Sequence, residues 1–300
     1  MSESTSTPTR FVDPVELSAA SFSRIARFVT DELGIKMPDS KLTLVQSRLL
    51  RRVRDLRLKS LDDYAEYFFA SHNGEEREHL INAITTNKTD FLREPEHFTY
   101  LTDVVLPGML REGATRDRFK AWSAGSSSGE EAYTLAMILA EYASCRPGFD
   151  FSILGTDVST RVLAAARAGI YQESQILVLP QDLRKKYLLR SRESSERLVR
   201  VVPELRKKVS FHQLNFMDSV YGVKDMFQVI FFRNVMIYFD RSTQEAVVNK
   251  LCRNLAPGGY LFAGPLGVAG RAQGAGGAGE GRHLSQSVMS TARGQHESAQ

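Results

Sequence analysis

From residue 118 to residue 264 short hydrophobic runs alternate with helical stretches, and this alternation constrains the fold more than any other feature. RFKAWSAG, FSILGTDVS, VSFHQLNFMD, QVIFFRN and YLFAG read as strands. Glu130 to Ser144, STRVLAAARAGIY and STQEAVVNKLCRNL read as helices. Strands alternating with helices predict an α/β fold, a parallel sheet covered on both faces, because each crossover lays its helix on the sheet. Sheets of this kind bind ligands at the carboxyl ends of their strands. Polar residues stand at those ends: Gly125 to Glu131, Gly155 to Asp157, Asn215, and Arg233 with Asn234.

The first turn, Gly125-Ser126-Ser127-Ser128-Gly129, runs directly into Glu130 and Glu131. A glycine turn between strand and helix ordinarily cradles phosphate. Two carboxylates beside it repel phosphate and instead suit a ligand that is cationic at this point. S-adenosylmethionine has that character, with a ribose, an α-ammonium and a sulfonium but no phosphate. Asp157, closing a hydrophobic strand, is suited to accept both hydroxyls of a ribose; its plainer role is a helix N-cap. The turn also matches the G-x-S-x-G elbow of serine hydrolases, with Ser127, Asp157 and His212 in the matching chain order. No HGGG-type oxyanion loop precedes it.

Before residue 118 the texture is helical. SFSRIARFVTDEL puts Phe22, Ile25, Phe28 and Val29 on one face, and KLTLVQSRLLRRVRDLRLK spaces Leu42, Val45, Leu49, Val53 and Leu56 helically. Ser60 is a candidate N-cap for SLDDYAEYFFA. Residues 1–15 read as disordered. The stretch 180–209 is charged and irregular, with LVRVV as a further strand, and reads as an insertion. No hydrophobic strand is legible after Phe262, and 265–300 reads as a low-complexity, disordered tail.

No run of 18 or more apolar residues occurs, so no transmembrane helix is expected, and the polar N-terminus lacks a signal-peptide core. Cys145 and Cys252 form no CxxC, which fits a reducing cytosol rather than a disulfide framework. The six histidines make no HExxH-like cluster, so no metal is expected. The formal charge of +4 is uneven. Residues 41–60 carry Lys41, Arg48, Arg51, Arg52, Arg54, Arg57 and Lys59 against Asp55 alone, too lopsided for a balanced surface helix. Such a face suits nucleic acid, an anionic membrane or an acidic protein helix. No nucleic-acid fold is recognisable and the segment has no aromatics.

AITTNKTDFLREPEHF, WSAGSSSGEEAYTLAM, LGTDVSTRVLAAARAGIY, FFRNVMIYFD and LAPGGYLFAG together resemble the CheR-type chemotaxis receptor methyltransferases, from about residue 18 to 264. The resemblance implies a Rossmann-like S-adenosylmethionine-dependent methyltransferase sheet, a small N-terminal all-α domain and a small β-subdomain insertion. The corresponding boundaries are 16–92 for the helical domain and 93–264 for the methyltransferase domain, with 180–209 as the β-subdomain. It implies methylation of glutamate side chains on chemoreceptor cytoplasmic helices, with S-adenosyl-L-homocysteine as product. By motif position, Asn87, Thr89 and Arg93 close over the cofactor, the Gly125 turn cradles it, and Glu131 faces its methionine end. Asp157 holds the ribose, Asn215 and Phe216 border the adenine, and Arg233 and Asn234 line the pocket. Tyr238 lies near the methyl, and Arg93 with Tyr238 orients the reacting groups. Arg48, Arg51, Arg52 and Arg54 would dock the receptor's acidic helices. A cytoplasmic monomer recruited to membrane receptor arrays is expected, without nucleic acid and without membrane insertion. The family pattern ends in a further hairpin after FAG, where this chain reads FAGPLGVAGRAQGAGG. That departure leaves open a second reading, a cofactor- or receptor-binding module without turnover.

Overall fold

The structure is a computed structural model, and it describes residues 16–70, 74–111, 118–193, 196–263 and 267–271. The readings of residues 1–15 as disordered and of most of the tail fall outside these residues. The chain divides into two compact units, Met1–Thr85 and Thr86–Gln300.

The first unit is helical. Helix α1 (Ala19–Leu33) begins where the Ser18 hydroxyl accepts the Ser21 N–H and ends at Gly34 in the left-handed region; it buries Phe22, Ile25 and Val29. Helix α2 (Leu42–Asp55) buries Val45, Leu49 and Val53, one stripe at helical spacing. Ser60 caps α3 (Leu61–Ala70), its hydroxyl accepting the Asp63 N–H at 3.0 Å. Helix α4 (Gly74–Ile84) buries Leu80, Ile81 and Ile84 and, unexpectedly, Glu76, which is 1% exposed.

Glu76 changes the reading of the basic helix. Arg52 grips it bidentately, Nε to both carboxylate oxygens at 3.0 and 3.1 Å and a terminal nitrogen to Oε2 at 2.6 Å, while Tyr64 donates to it at 2.9 Å. Arg48 donates to the carbonyl of Ile84, tying α2 to the last turn of α4. Two of the four arginines expected to dock a partner are therefore turned inward. Arg51 and Arg54 stay exposed, Arg51 with 91% of its side chain open and only a 4.0 Å contact to Asp55.

Burial pushes the Glu76 carboxyl up, but the hydrogen bonds from Arg52 and Tyr64 outweigh it and hold the group below its ordinary range. A depressed carboxyl contributes stability above its unfolded pKa and loses it as pH falls through the folded value. Arg52→Ala is expected to cost about 3 kcal/mol, because it strands a buried carboxylate. It should also blunt the acid limb of the stability curve, whereas Arg51→Ala should stay within about 0.5 kcal/mol. Urea denaturation between neutral and acid pH checks both.

In the second unit one helical stretch runs from Pro95 through a π-helical segment at Leu101–Val105 to Arg111 (α5, Pro95–Tyr100; α6, Leu106–Arg111). Among the described residues the main sheet has six strands: β1 (Phe119–Ala124), β2 (Phe151–Asp157), β6 (Val209–Gln213), β7 (Phe227–Phe232), β8 (Leu255–Ala263) and β9 (Gly267–Arg271). Their order is β6-β2-β1-β7-β8-β9, parallel except for β9. Helices α7 (Glu130–Ser144), α8 (Thr160–Ala168) and α11 (Arg241–Arg253) are the crossovers that such parallel pairings require. The central strands are almost wholly buried, which is why they read as continuous apolar runs rather than alternating ones. From β1 the chain winds to β2 and β6 on one side and to β7 and β8 on the other, so the strand order reverses beside β1.

Two departures from the sequence reading have simple causes. The helix expected to continue through Ile170 and Tyr171 stops at Ala168, where Gly169 takes a left-handed conformation. Ile170–Gln172 then forms β3, which pairs antiparallel with β5 (Leu198–Val201), itself paired with β4 (Leu188–Arg190). The inserted sheet so begins before residue 180, and α9 (Gln181–Tyr187) and α10 (Pro203–Arg206) fill what read as irregular. The second departure is β9, where no strand was legible. Gly267 and Val268 pair with Ala263 and Phe262, so the edge of β8 is covered by backbone hydrogen bonds that need no apolar signal.

Candidate functional site

The carboxyl ends of β1, β2 and β7 bring together a cluster that starts at the glycine turn. Gly125 reverses the chain at φ +83°, and a Cβ there would lie 2.5 Å from Val235 Cγ2, so both conformation and space call for glycine. The N–H groups of Gly125 and Ser126 donate to the Thr156 carbonyl at 2.8 Å each, fastening the turn to the end of β2. Asp157 braces it from the other side: Oδ2 accepts the Ser127 N–H at 3.0 Å and Oδ1 accepts the Ser159 N–H at 2.9 Å. Burial pushes the Asp157 carboxyl up, and the backbone donors Ser159, Ser127 and Val158 pull the other way. An ionised carboxylate has about four acceptor positions, so these bonds leave room for hydroxyl donors of a ligand.

Glu131, in the first turn of α7, does not stand free to attract a cation. Its Oε1 accepts the Ser123 hydroxyl at 2.6 Å and its Oε2 accepts Arg233 Nε at 2.7 Å. Arg233 follows β7 and is nearly enclosed. A terminal nitrogen donates to the Arg93 carbonyl at 2.7 Å, lies 3.2 Å from His97 Nδ1 and 3.5 Å from Glu94 Oε2, and the guanidinium stands 5.0 Å from the Phe98 ring and 5.4 Å from the Phe231 ring. Asn234 donates to Glu94 Oε1 at 3.2 Å. Glu130, the other acid after the turn, is buried and takes the Ser128 hydroxyl. Burial pushes its carboxyl up against that bond.

The segment before α5 folds over this cluster. The Asn87 carbonyl accepts the Ser127 hydroxyl at 2.7 Å, and the Leu92 N–H donates to Thr134 at 3.2 Å. Thr89 is half-buried in the same loop, and the Arg93 side chain donates to the Lys88 carbonyl at 3.3 Å. Beyond β6, Asn215 Oδ1 accepts the Met217 N–H, and Phe216 packs on Phe232 and Phe239 within 3.9 Å of where a Gly125 Cβ would lie. Tyr238 is half-buried on the short turn Met236–Tyr238, whose Met236 carbonyl accepts Gln244 Nε2. Gly125, Glu131, Asp157, Arg233 and Asn234 thus stand at or just beyond the strand ends, Asn87 and Arg93 reach Ser127 and Arg233 through their backbone carbonyls, and Thr89, Asn215, Phe216 and Tyr238 lie on adjoining segments. Sequence reasoning missed Glu94 and His97, although both lie in the quoted LREPEHF.

Backbone strain concentrates here. Six non-glycine residues among those described have positive φ, and four of them are Leu92, Glu94, Ser127 and Asn234. Each such conformation costs about 1–2 kcal/mol and persists where surrounding contacts over-determine it, commonly at functional sites.

The hydrolase arrangement does not form. Ser127 Oγ donates to a backbone carbonyl, Asp157 takes backbone amides, and His212 is exposed on β6 with no bond to either among the described residues. Among those residues no group of three or more His, Cys, Asp or Glu side chains could hold a metal ion. What remains among the enclosed side chains is buried Glu131 and Asp157 and half-buried Glu94 against Arg233, an excess of negative charge that suits a cationic, ribose-bearing ligand and disfavours phosphate. S-adenosylmethionine fits that donor set, and the Glu94 Oε2 atom is buried without a hydrogen bond.

Comparison with known proteins agrees. Residues 87–267 match the model of the CheR methyltransferase SAM binding domain, and residues 20–85 match that of the CheR methyltransferase all-alpha domain. The chemotaxis protein methyltransferase of Salmonella typhimurium is 39% identical over 83% of this chain and 83% of its own length. Those of Escherichia coli (37%, over 85% and 86%) and Borreliella burgdorferi (36%, over 83% and 88%) are similar across the same extent. A strand-end site built for a cationic cofactor and two matching domain models together place this chain in the CheR methyltransferase family.

Proposed function

We propose that the chain transfers a methyl group from S-adenosylmethionine to glutamate side chains on the cytoplasmic helices of chemoreceptors, working in the cytoplasm at membrane receptor arrays. The observation that carries the reading is the excess of acid over base among these enclosed groups: buried Asp157 and Glu131 at the strand ends and half-buried Glu94 on the preceding loop, against buried Arg233. The relatives named above are chemotaxis methyltransferases, which supports a receptor substrate. No helix among the described residues is long and apolar enough to cross a membrane, so the receptor would be met by docking.

When bound, S-adenosylmethionine would supply an activated methyl on a positively charged sulfur: a glutamate oxygen would bond to that carbon in line as the sulfur–carbon bond breaks, and the neutral thioether S-adenosylhomocysteine would leave. A glutamate side chain is already ionised near neutral pH, with an ordinary pKa of about 4.3. No proton moves and no general base is needed, which matches a site whose one central imidazole, His97, bonds to an arginine. Burial, and then Arg233 beside it, push that imidazole below its ordinary value, so it stays neutral. The work left to the protein is alignment, worth up to about 7–11 kcal/mol. Asp157 holds the ribose, the Gly125 turn and Phe216 shape the adenosine side, and Asn215 borders the base. Glu131, oriented by Arg233, faces the methionine end, and Asn234 lines the pocket beside it. Asn87, Thr89 and Arg93 close the site from the loop, and Arg93 with Tyr238 orients the incoming carboxylate.

The exposed half of α2 is the docking face, now reduced to Arg51 and Arg54. The double substitution Arg51→Glu and Arg54→Glu is expected to raise the receptor KM about tenfold or more at low salt and to leave cofactor affinity unchanged. Initial rates against receptor concentration at two ionic strengths check this. The function itself is tested by incubating the protein with methyl-labelled S-adenosylmethionine and receptor-containing membranes. Label released by alkali as methanol supports a glutamyl ester, and no release from folded, cofactor-binding protein contradicts it.

A further inference from the structure

Glu94 enters the proposed function only as one charge among several, yet its surroundings are unusual. It sits immediately before Pro95 with φ +53° and ψ +66°, a conformation an L-residue adopts only under constraint. Its side chain is 14% exposed, with Oε1 bonded to Asn234, itself at φ +57°. Oε2 points at Arg233 from 3.5 Å and at His97 Nδ1 from 3.3 Å, but makes no hydrogen bond.

The charge balance explains why that oxygen is left over. Arg233 is one cation, and Glu131 already takes it at 2.7 Å with good geometry. His97 cannot balance Glu94. An arginine nitrogen only donates, so the 3.2 Å approach of Arg233 to Nδ1 disfavours a proton there and a positive charge on the ring. The groups facing His97 are Arg233, Glu94, Glu96 and Glu131, and the ring is 3% exposed. The enclosed cluster therefore carries one uncompensated negative charge, which is costly in a poorly solvated site.

We propose that Glu94 is a specificity-determining residue whose surplus charge answers the sulfonium of S-adenosylmethionine, favouring the charged cofactor over the uncharged thioether product. Methyl transfer removes the sulfonium charge, so this attraction disappears once the product has formed, and release of S-adenosylhomocysteine becomes easier. The two molecules share ribose, adenine, α-ammonium and α-carboxylate. Contributions from Asp157, the glycine turn and Asn215 therefore cancel in the ratio of their affinities, which isolates the sulfonium.

The inference rests on S-adenosylmethionine being the cofactor, and one calorimetric series separates the two claims. Wild-type protein that binds neither molecule contradicts the cofactor reading itself. With binding established, Glu94→Gln should weaken S-adenosylmethionine about tenfold more than S-adenosylhomocysteine, the size expected for the loss of one charge–charge attraction at intermediate dielectric. Equal weakening of both, or none, overturns the proposal, because a merely structural role for Glu94 leaves the ratio unchanged. Should Glu94→Gln fail to fold, Glu94→Asp, which keeps the charge but draws it back by one methylene, gives the second test: the affinity ratio should fall by a smaller factor, and an unchanged ratio counts against the proposal.

Discussion

Arg233→Met is expected to lower the stability of the Thr86–Gln300 unit by about 3–5 kcal/mol and to abolish measurable binding of S-adenosylmethionine. Arg233 is 6% exposed and is the cation shared by buried Glu131 and half-buried Glu94. Methionine fills similar space beside Phe98 and Phe231 but leaves Glu131 without its 2.7 Å partner. The loss then exceeds the value of one hydrogen bond, because a buried charge without a partner bears its full desolvation cost. Arg233→Lys should recover part of the stability and little of the binding. An ammonium is a point charge and cannot hold Glu131, the Arg93 carbonyl and His97 with the geometry of a planar guanidinium. Urea denaturation and calorimetry on each variant check the two arms separately. A stable Arg233→Met protein with intact cofactor binding would show that the cluster is peripheral.

Asp157→Ala is expected to weaken cofactor binding about 100-fold, the equivalent of two lost charge-assisted hydrogen bonds to a ribose. The same change frees the Ser127 and Ser159 N–H groups, so stability also falls. Asp157→Asn separates these effects. The amide oxygen can still take one backbone N–H, but the second position becomes a donor and clashes with the other. If Asp157 served only to brace the glycine turn, the folded fraction of either variant would bind with unchanged affinity. Calorimetry corrected for folded fraction distinguishes the outcomes.

The main sheet was legible because its central strands are buried on both faces and therefore advertise themselves as apolar runs between helices. The turn residues Gly125 and Asp157 were legible for a related reason: polar groups that interrupt such runs have few places to go except the strand ends. Strands β3 and β9 were not legible, since Ile170–Gln172 continues the helical pattern of α8 and Gly267–Arg271 carries no apolar alternation at all. Pairing across space was the larger gap. Arg52 and Glu76 lie 24 positions apart, and a sequence that shows seven bases against one acid does not show which of them are already spoken for. The same holds for Glu131, which read as a free attractor and is half of an ion pair with Arg233. Glu94 and His97 were overlooked because an acid and a histidine beside a proline resemble an ordinary helix start.

The central claim is that this site transfers methyl to a glutamate carboxylate. Its most direct test is tandem mass spectrometry of receptor peptides after incubation with the purified protein and S-adenosylmethionine. The expected result is a gain of one methyl on glutamate side chains of the receptor's cytoplasmic helices, sensitive to alkali and absent with Arg233→Met. Protein that is folded and binds S-adenosylmethionine but leaves every receptor glutamate unmodified would contradict the claim and leave a binding module in its place.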